Sequence, residues 1–205
     1  MKLIIAEKEY MAQDIANYLS KKNHVLVENI GKYFIAGDFF ITWARGHLLK
    51  YYEPQDYNKK YSKWNAKDLP IIPLSFEVKI ITNKEKRGRS WVETENTFMT
   101  EQIACISDLI SKSKEVYHAG DADREGQMVV DEILNFVNND KPVSRLWLHG
   151  LSDSQIDKAF HNLTPNETKT PLFEAAKARA ETDWLYGTNF SRAITMKFKE
   201  KGLTN

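Results

Sequence analysis

His118-Ala119-Gly120-Asp121-Ala122-Asp123-Arg124-Glu125-Gly126-Gln127 is the stretch on which the fold of this chain turns. Residues 115–119, which run into it, read as a strand, and Gly120 breaks it. After it, Val129, Val130, Ile133 and Phe136 recur at helical spacing from Arg124 onward. A strand therefore passes through an acidic turn directly into a helix. Asp121, Asp123 and Glu125 stand at alternating positions in that turn, an oxygen-rich set of the kind magnesium prefers. Holding them together costs Coulomb repulsion unless a cation or protons offset it. A second explanation stays open at this point: Asp121 and Asp123 cap the following helix, whose N-terminus favours negative charge.

Outward from this turn the pattern alternates. Residues 93–113 carry Phe98, Ile103, Ile106, Leu109 and Ile110 on one helical face, and residues 143–148 read as another strand. At the start, residues 2–6 fit a buried strand, followed at once by a helix bearing Met11, Ile15, Tyr18 and Leu19. Residues 25–27, 33–35 and 39–43 alternate as antiparallel strands, with Gly37-Asp38 as a hairpin turn. The expected fold class is α/β, a partly parallel sheet flanked by helices, with functional groups gathered at the carboxyl ends of the strands. Glu7 falls immediately after the first strand, so a parallel sheet puts it at the same edge as Asp121 and Asp123. A fourth carboxylate there is hard to explain as capping. Such a set would hold one or two magnesium ions against a phosphate, with a glutamate outside the ligand shell free to pass a proton to a leaving oxygen. Lys8 is placed to contact the phosphate.

The remaining segments are less regular. Residues 53–73 hold three prolines and read as an excursion from the core, residues 76–82 as a strand, and residues 84–89 as an exposed basic turn. Between Lys50 and Trp91 there are ten Lys/Arg against five Asp/Glu, interleaved with Tyr51, Tyr52, Tyr57, Tyr61 and Trp64. That mixture suits phosphate attraction and base stacking, and equally a solvated surface with tyrosines packed inward. Past Gly150, Ser152-Asp153-Ser154-Gln155 fits a capping box, residues 162–171 a polar linker, and residues from Leu172 onward a long helix. The expected organisation is a metal-binding domain over residues 1–150 and a short all-helical segment over residues 151–205.

Composition narrows the classes. The net charge is +1, so global electrostatics do not themselves point to nucleic acid. No run approaches a membrane span, and Glu7 interrupts any signal-like start, which implies a cytoplasmic protein with no membrane partner. With one cysteine, Cys105, disulfides and cysteine zinc sites within the chain are excluded, and its apolar neighbours make it a small buried hydrophobe rather than a nucleophile.

A strand ending in Glu7, a later strand ending in Asp121-Ala122-Asp123, and Gly126 just beyond resemble a Toprim domain. The wider set narrows the resemblance. Ile5-Ala6-Glu7-Lys8, Trp43-Ala44-Arg45-Gly46-His47-Leu48-Leu49, Trp64-Asn65 with Asp68-Leu69-Pro70, the 118–127 stretch, and Ala178-Arg179-Ala180 through Asp183-Trp184-Leu185-Tyr186-Gly187 to Asn189 and Ser191-Arg192-Ala193 together resemble type IA DNA topoisomerases, of the bacterial topoisomerase III kind. The likeness runs in order along nearly the whole chain.

The resemblance implies roles. Glu7 would act near the scissile bond as general acid or metal ligand, and Lys8 would contact the phosphate. Asp121, Asp123 and Glu125 would bind Mg2+, needed mainly for religation and strand passage. Arg179 and Asp183, four apart on one helical face, would belong to a DNA-binding helix with Trp184, Asn189 and Arg192; an ordinary surface ion pair is the plain alternative. Arg45 and His47 join the expected DNA contacts. Partners would be single-stranded DNA and the remaining domains of a parent topoisomerase, with a helicase or a single-strand binding protein left open. The family cleaves DNA through a tyrosine in a Tyr-x-Arg context, and none of the nine tyrosines here has it. The chain is thus expected to be an N-terminal piece unable to relax DNA alone. A Toprim-type metal-dependent nuclease and a non-catalytic DNA- or protein-binding module are the competing classes.

Overall fold

The computed structural model describes residues 1–88 and 90–202. Two compact units emerge: Met1–Leu49 with Ile80–Ala175, and Lys50–Lys79 with Ala176–Asn205. This partition differs from a single cut at residue 150, because the excursion and the late helix bury their side chains on each other.

The first unit is built on a seven-stranded sheet. Its strands are β1 (Lys2–Ala6), β2 (Val27–Asn29), β3 (Tyr33–Ala36), β4 (Phe39–Trp43), β9 (Val116–Ala119), β10 (Val143–Arg145) and β11 (Thr164–Pro165). The spatial order is β11-β10-β9-β1-β4-β3-β2. β10, β9, β1 and β4 run parallel, and the two ends of the sheet are antiparallel. The expected partly parallel α/β sheet is therefore present, with Gly37 at φ 58° turning the β3–β4 hairpin.

Strand alternation assigns the two faces. Ile4 and Ala6 of β1, Ile41 and Trp43 of β4, and Tyr117 and Ala119 of β9 join one cluster. Helix α1 (Glu9–Asn23) contributes Met11, Ile15 and Leu19 to it, and α5 (Asp153–His161) contributes Ile156 and Ala159. The intervening residues, Thr42 and His118, point to the opposite face. There α3 (Thr97–Ser111) donates from Gln102 to the Thr42 hydroxyl and the Trp43 carbonyl, and α4 (Arg124–Phe136) meets His118. Cys105 on α3 is half-buried rather than fully enclosed.

Three local expectations change. The basic stretch 84–89 is mostly strand: β7 (Asn83–Arg87) pairs with β8 (Ser90–Thr94), because cross-strand partners such as Lys84–Glu93 offset its charge. Arg89 lies outside the described residues. The residues 162–171 are no linker, since Thr164–Pro165 adds to β10 and Asn166–Lys169 forms a 3-10 turn. The Ser152 hydroxyl bonds the Gln155 side chain at 3.0 Å, so no side-chain cap reaches the α5 backbone.

The second unit contains most of β5 (Leu49–Tyr51) and of β6 (Val78–Ile80), each with one end residue in the first unit, the short α2 (Pro54–Tyr57) and the later part of α6 (Thr170–Glu200). Trp184 donates its indole N–H to the Tyr52 carbonyl at 2.9 Å and meets Tyr57 and Phe76 edge-on. Among the described residues no helix is long and apolar enough to cross a membrane.

Candidate functional site

Because β10, β9, β1 and β4 are parallel, the segments leaving them emerge at one edge. Glu7 and Lys8 follow β1, and Gly120 and Asp121 follow β9. Beyond β4, the Ala44 amide donates to the Ala6 carbonyl at 2.9 Å and the Gly46 amide to the Glu7 carbonyl at 3.0 Å. That stitching brings Arg45 and His47 to the same edge.

Lys8 is the electrostatic centre. Its Nζ lies 2.9 Å from Glu7 Oε1 and 3.1 Å from Asp121 Oδ2. Glu7, then Asp121, hold the Lys8 ammonium well above the ordinary lysine range, so it stays charged. One cation thus bridges carboxylates from two different strands, and this offsets part of the repulsion between them. Glu7 is largely enclosed, whereas Asp123 and Glu125 are exposed.

Asp123 has a dual character. Its Oδ1 accepts from the Gly126 amide at 2.7 Å, which caps α4. Capping uses one oxygen and leaves the other. The acidic loop is compact: a Cβ on Gly120 would stand 2.2 Å from the Gly126 carbonyl oxygen, and one on Gly126 would stand 2.5 Å from the Asp121 nitrogen. Only residues without a side chain let these backbone strands approach so closely.

Beneath the loop lies a polar network that sequence reading missed. Arg145, fully buried, donates from Nε to Gln127 Oε1 (2.8 Å), from one terminal nitrogen to the His118 and Leu146 carbonyls (2.9 Å each), and from the other to the Asp121 carbonyl (2.7 Å). Burial lowers its pKa to about 10, against the opposing pull of Asp131, Asp121, Asp123 and Glu7. It remains a cation at neutral pH. His118 is fully enclosed and is held neutral by burial first and by the Arg145 charge second. Its Nδ1 accepts from the Gly120 amide, so Nε2 carries the proton and donates to the Gln127 carbonyl. Gln127 in turn donates to Asp131 and Asn166, and Asn166 donates to Asp131. The signal in the sequence was an Arg inside a strand-like segment, Val143-Ser144-Arg145-Leu146-Trp147-Leu148, where an unpaired buried charge would be costly.

His47 lies 3.7 Å from Glu132 Oε2. Glu132 chiefly, with smaller contributions from Glu125 and Glu7, raises the His47 pKa. Arg45, at φ 61°, lays its guanidinium over Phe98 at 4.6 Å. Within the second unit, Arg179 and Asp183 form an exposed pair at 3.7 Å. Asn189 clamps Ile71, accepting from its amide at 2.6 Å and donating to its carbonyl at 3.0 Å. Arg192 is buried, donating to the Tyr61 carbonyl at 2.8 Å under the Trp64 ring. Trp184, Asn189 and Arg192 therefore hold the 50–79 excursion in place, and Arg179 and Asp183 face outward.

Among the described residues no three His, Cys, Asp or Glu side chains converge closely enough to form a finished metal centre. The donor set is nonetheless all carboxylate oxygen, which suits a hard cation, and magnesium commonly takes only one or two protein carboxylates beside water and substrate phosphate.

The Toprim domain profile matches residues 2–151. This chain belongs to the Toprim family. It is 35% identical over 196 residues to DNA topoisomerase 3 of Staphylococcus epidermidis, a match covering 96% of this chain and 25% of the relative. DNA topoisomerase 3 of Vibrio cholerae is 35% identical over 205 residues, covering 98% and 29% respectively. The chain thus spans about a quarter of the length of the curated relatives it matches. Among solved structures, full-length topoisomerase I from Thermotoga maritima superposes with a TM-score of 0.53 at 17% identity, over 89% of this chain and 24% of that one, which shows a shared fold.

Proposed function

We propose that this Toprim chain supplies the magnesium site and part of the single-stranded DNA groove of a type IA topoisomerase. The observation that carries the proposal is the Lys8 bridge between Glu7 and Asp121 at the carboxyl edge of β1 and β9. A fixed cation between two carboxylates is suited to meet a phosphodiester: the ammonium would bind a non-bridging oxygen, and Glu7, released from it and protonated from solvent, would pass that proton to the leaving oxygen as general acid. Asp121, Asp123 and Glu125 would hold Mg2+, which supplies charge neutralisation at the phosphate. With so few converging ligands, Mg2+ affinity is weak until DNA contributes its own oxygens. Arg45, His47, Arg179 and Asp183 would contact the strand, while Trp184, Asn189 and Arg192 position the basic, aromatic excursion. None of the nine tyrosines carries the Tyr-x-Arg context, so the nucleophile for strand cleavage belongs to another part of the parent enzyme.

The test is to mix the 205-residue chain with a labelled single-stranded oligonucleotide and Mg2+, beside an Asp121→Asn/Asp123→Asn variant. Binding that Mg2+ strengthens in the parent chain only, with no cutting, is the expected result. Mg2+-dependent cutting that the variant loses would replace the proposal with a self-sufficient nuclease.

A further inference from the structure

Beside the acidic loop, on the far side of β10, the first unit has a cleft of about 370 Å³ walled by Trp147, His149, Lys158, Ala159 and Lys169. No Asp or Glu stands among its described lining residues. Leu148 forms a parallel bridge with Asp121, so Trp147 and His149 flank the residue that touches the acidic loop. Leu148 is buried, and strand alternation turns its two neighbours the other way, with Trp147 half-exposed and His149 exposed. The Lys169 ammonium sits 4.4 Å from the Trp147 ring centroid, and the Arg145 guanidinium 4.6 Å from it. Arg145 is buried and locked by four hydrogen bonds, which makes it a fixed support for the indole. Lys169 ends a flexible stem and is free to leave the ring.

We infer that this cleft binds one nucleotide of a single-stranded DNA, its base stacked on Trp147 and its phosphate held by Lys158 and Lys169. Every base presents a π face, so an indole braced from below is a sequence-tolerant platform. A base arriving on the ring displaces Lys169 from a cation–π contact into an ion pair with the phosphate, so the cation keeps a partner throughout. The placement next to Asp121 assigns this nucleotide to the same strand that meets the acidic edge. The inference rests on the proposed function, deepening it from a groove to a base-stacking subsite.

Affinity of the full chain for a fluorescent oligothymidylate, by anisotropy, tests it. Trp147→Ala should weaken binding by about tenfold, as removal of one stacked aromatic does, and Trp147→Phe should restore most of it. Lys158→Ala/Lys169→Ala should flatten the dependence of log affinity on log salt by roughly 0.7 for each phosphate that the variant no longer neutralises. Oligonucleotides with one abasic position, scanned along the strand, should show one position whose loss matters to the parent chain and not to Trp147→Ala. If Trp147→Ala and the lysine variant bind as the parent does, the subsite is wrong while the DNA-binding proposal stands. If the parent chain binds no single-stranded DNA, both fail together.

Discussion

Arg145→Met would remove the support beneath the acidic loop while keeping a side chain of similar length. The substitution strips donors from Gln127 Oε1 and from the Leu146 and Asp121 carbonyls. The His118 carbonyl keeps the Leu146 amide at 2.9 Å. Three buried acceptors losing a donor would cost about 1–3 kcal/mol each if nothing relaxed. Asp131 also loses its nearest buried counter-charge. Relaxation and entering water reduce that total, and breaking a buried charged network by removing one partner typically costs about 3–5 kcal/mol. For a domain of this size each kcal/mol moves Tm by roughly 2–4 °C, so a drop of roughly 6–20 °C is expected. Urea unfolding should report the same loss, and hydrogen exchange should show the Gly120 and Gly126 amides opening first. Arg145→Lys retains the charge without the planar fork and should recover less than half of the stability. A loss within about 0.5 kcal/mol, the usual range of a surface substitution, would refute the idea that Arg145 holds the loop.

Two histidines should give opposite pH responses. His118 is held neutral in the fold, so the unfolded chain takes a proton below about pH 6.5 that the native state refuses, and stability falls by up to about 1.4 kcal/mol per pH unit on acidification. His118→Gln should abolish that slope between about pH 5.5 and 6.5 in urea titrations. His47 is raised by Glu132, so its contribution is fully present below about pH 6.5 and fades as pH rises through the folded value; His47→Gln should remove this alkaline decline. In the second unit, Asn189→Ala breaks the paired hydrogen bonds to Ile71 and should destabilise the 50–79 excursion by about 1–3 kcal/mol. Faster hydrogen exchange at the Ile71 amide and earlier proteolytic cutting there would show it, and unchanged protection would count against the clamp.

Much of the candidate site could be read along the chain because its residues lie where periodicity breaks. Glu7 directly ends an apolar run, and Asp121 follows the Gly120 that stops another; two strands sharing a direction then bring both to one edge. The excursion at residues 53–73 was visible from its prolines, and α6 from its apolar spacing. Those are local properties: propensity, periodicity and the backbone freedom of glycine act over a few residues, so the sequence determined them by itself. Which partners met was decided only in three dimensions. Thr164 and Pro165 look like linker until β10 offers an open edge, and the carbonyls of Tyr52, Ile71 and Tyr61 that Trp184, Asn189 and Arg192 bind come within reach only in the folded excursion. The Arg145 network is the clearest instance. Its members come from β9, α4, β10 and the turn before α6, separated by up to dozens of residues, and a buried charge declares its partners only when packing removes water from all of them at once.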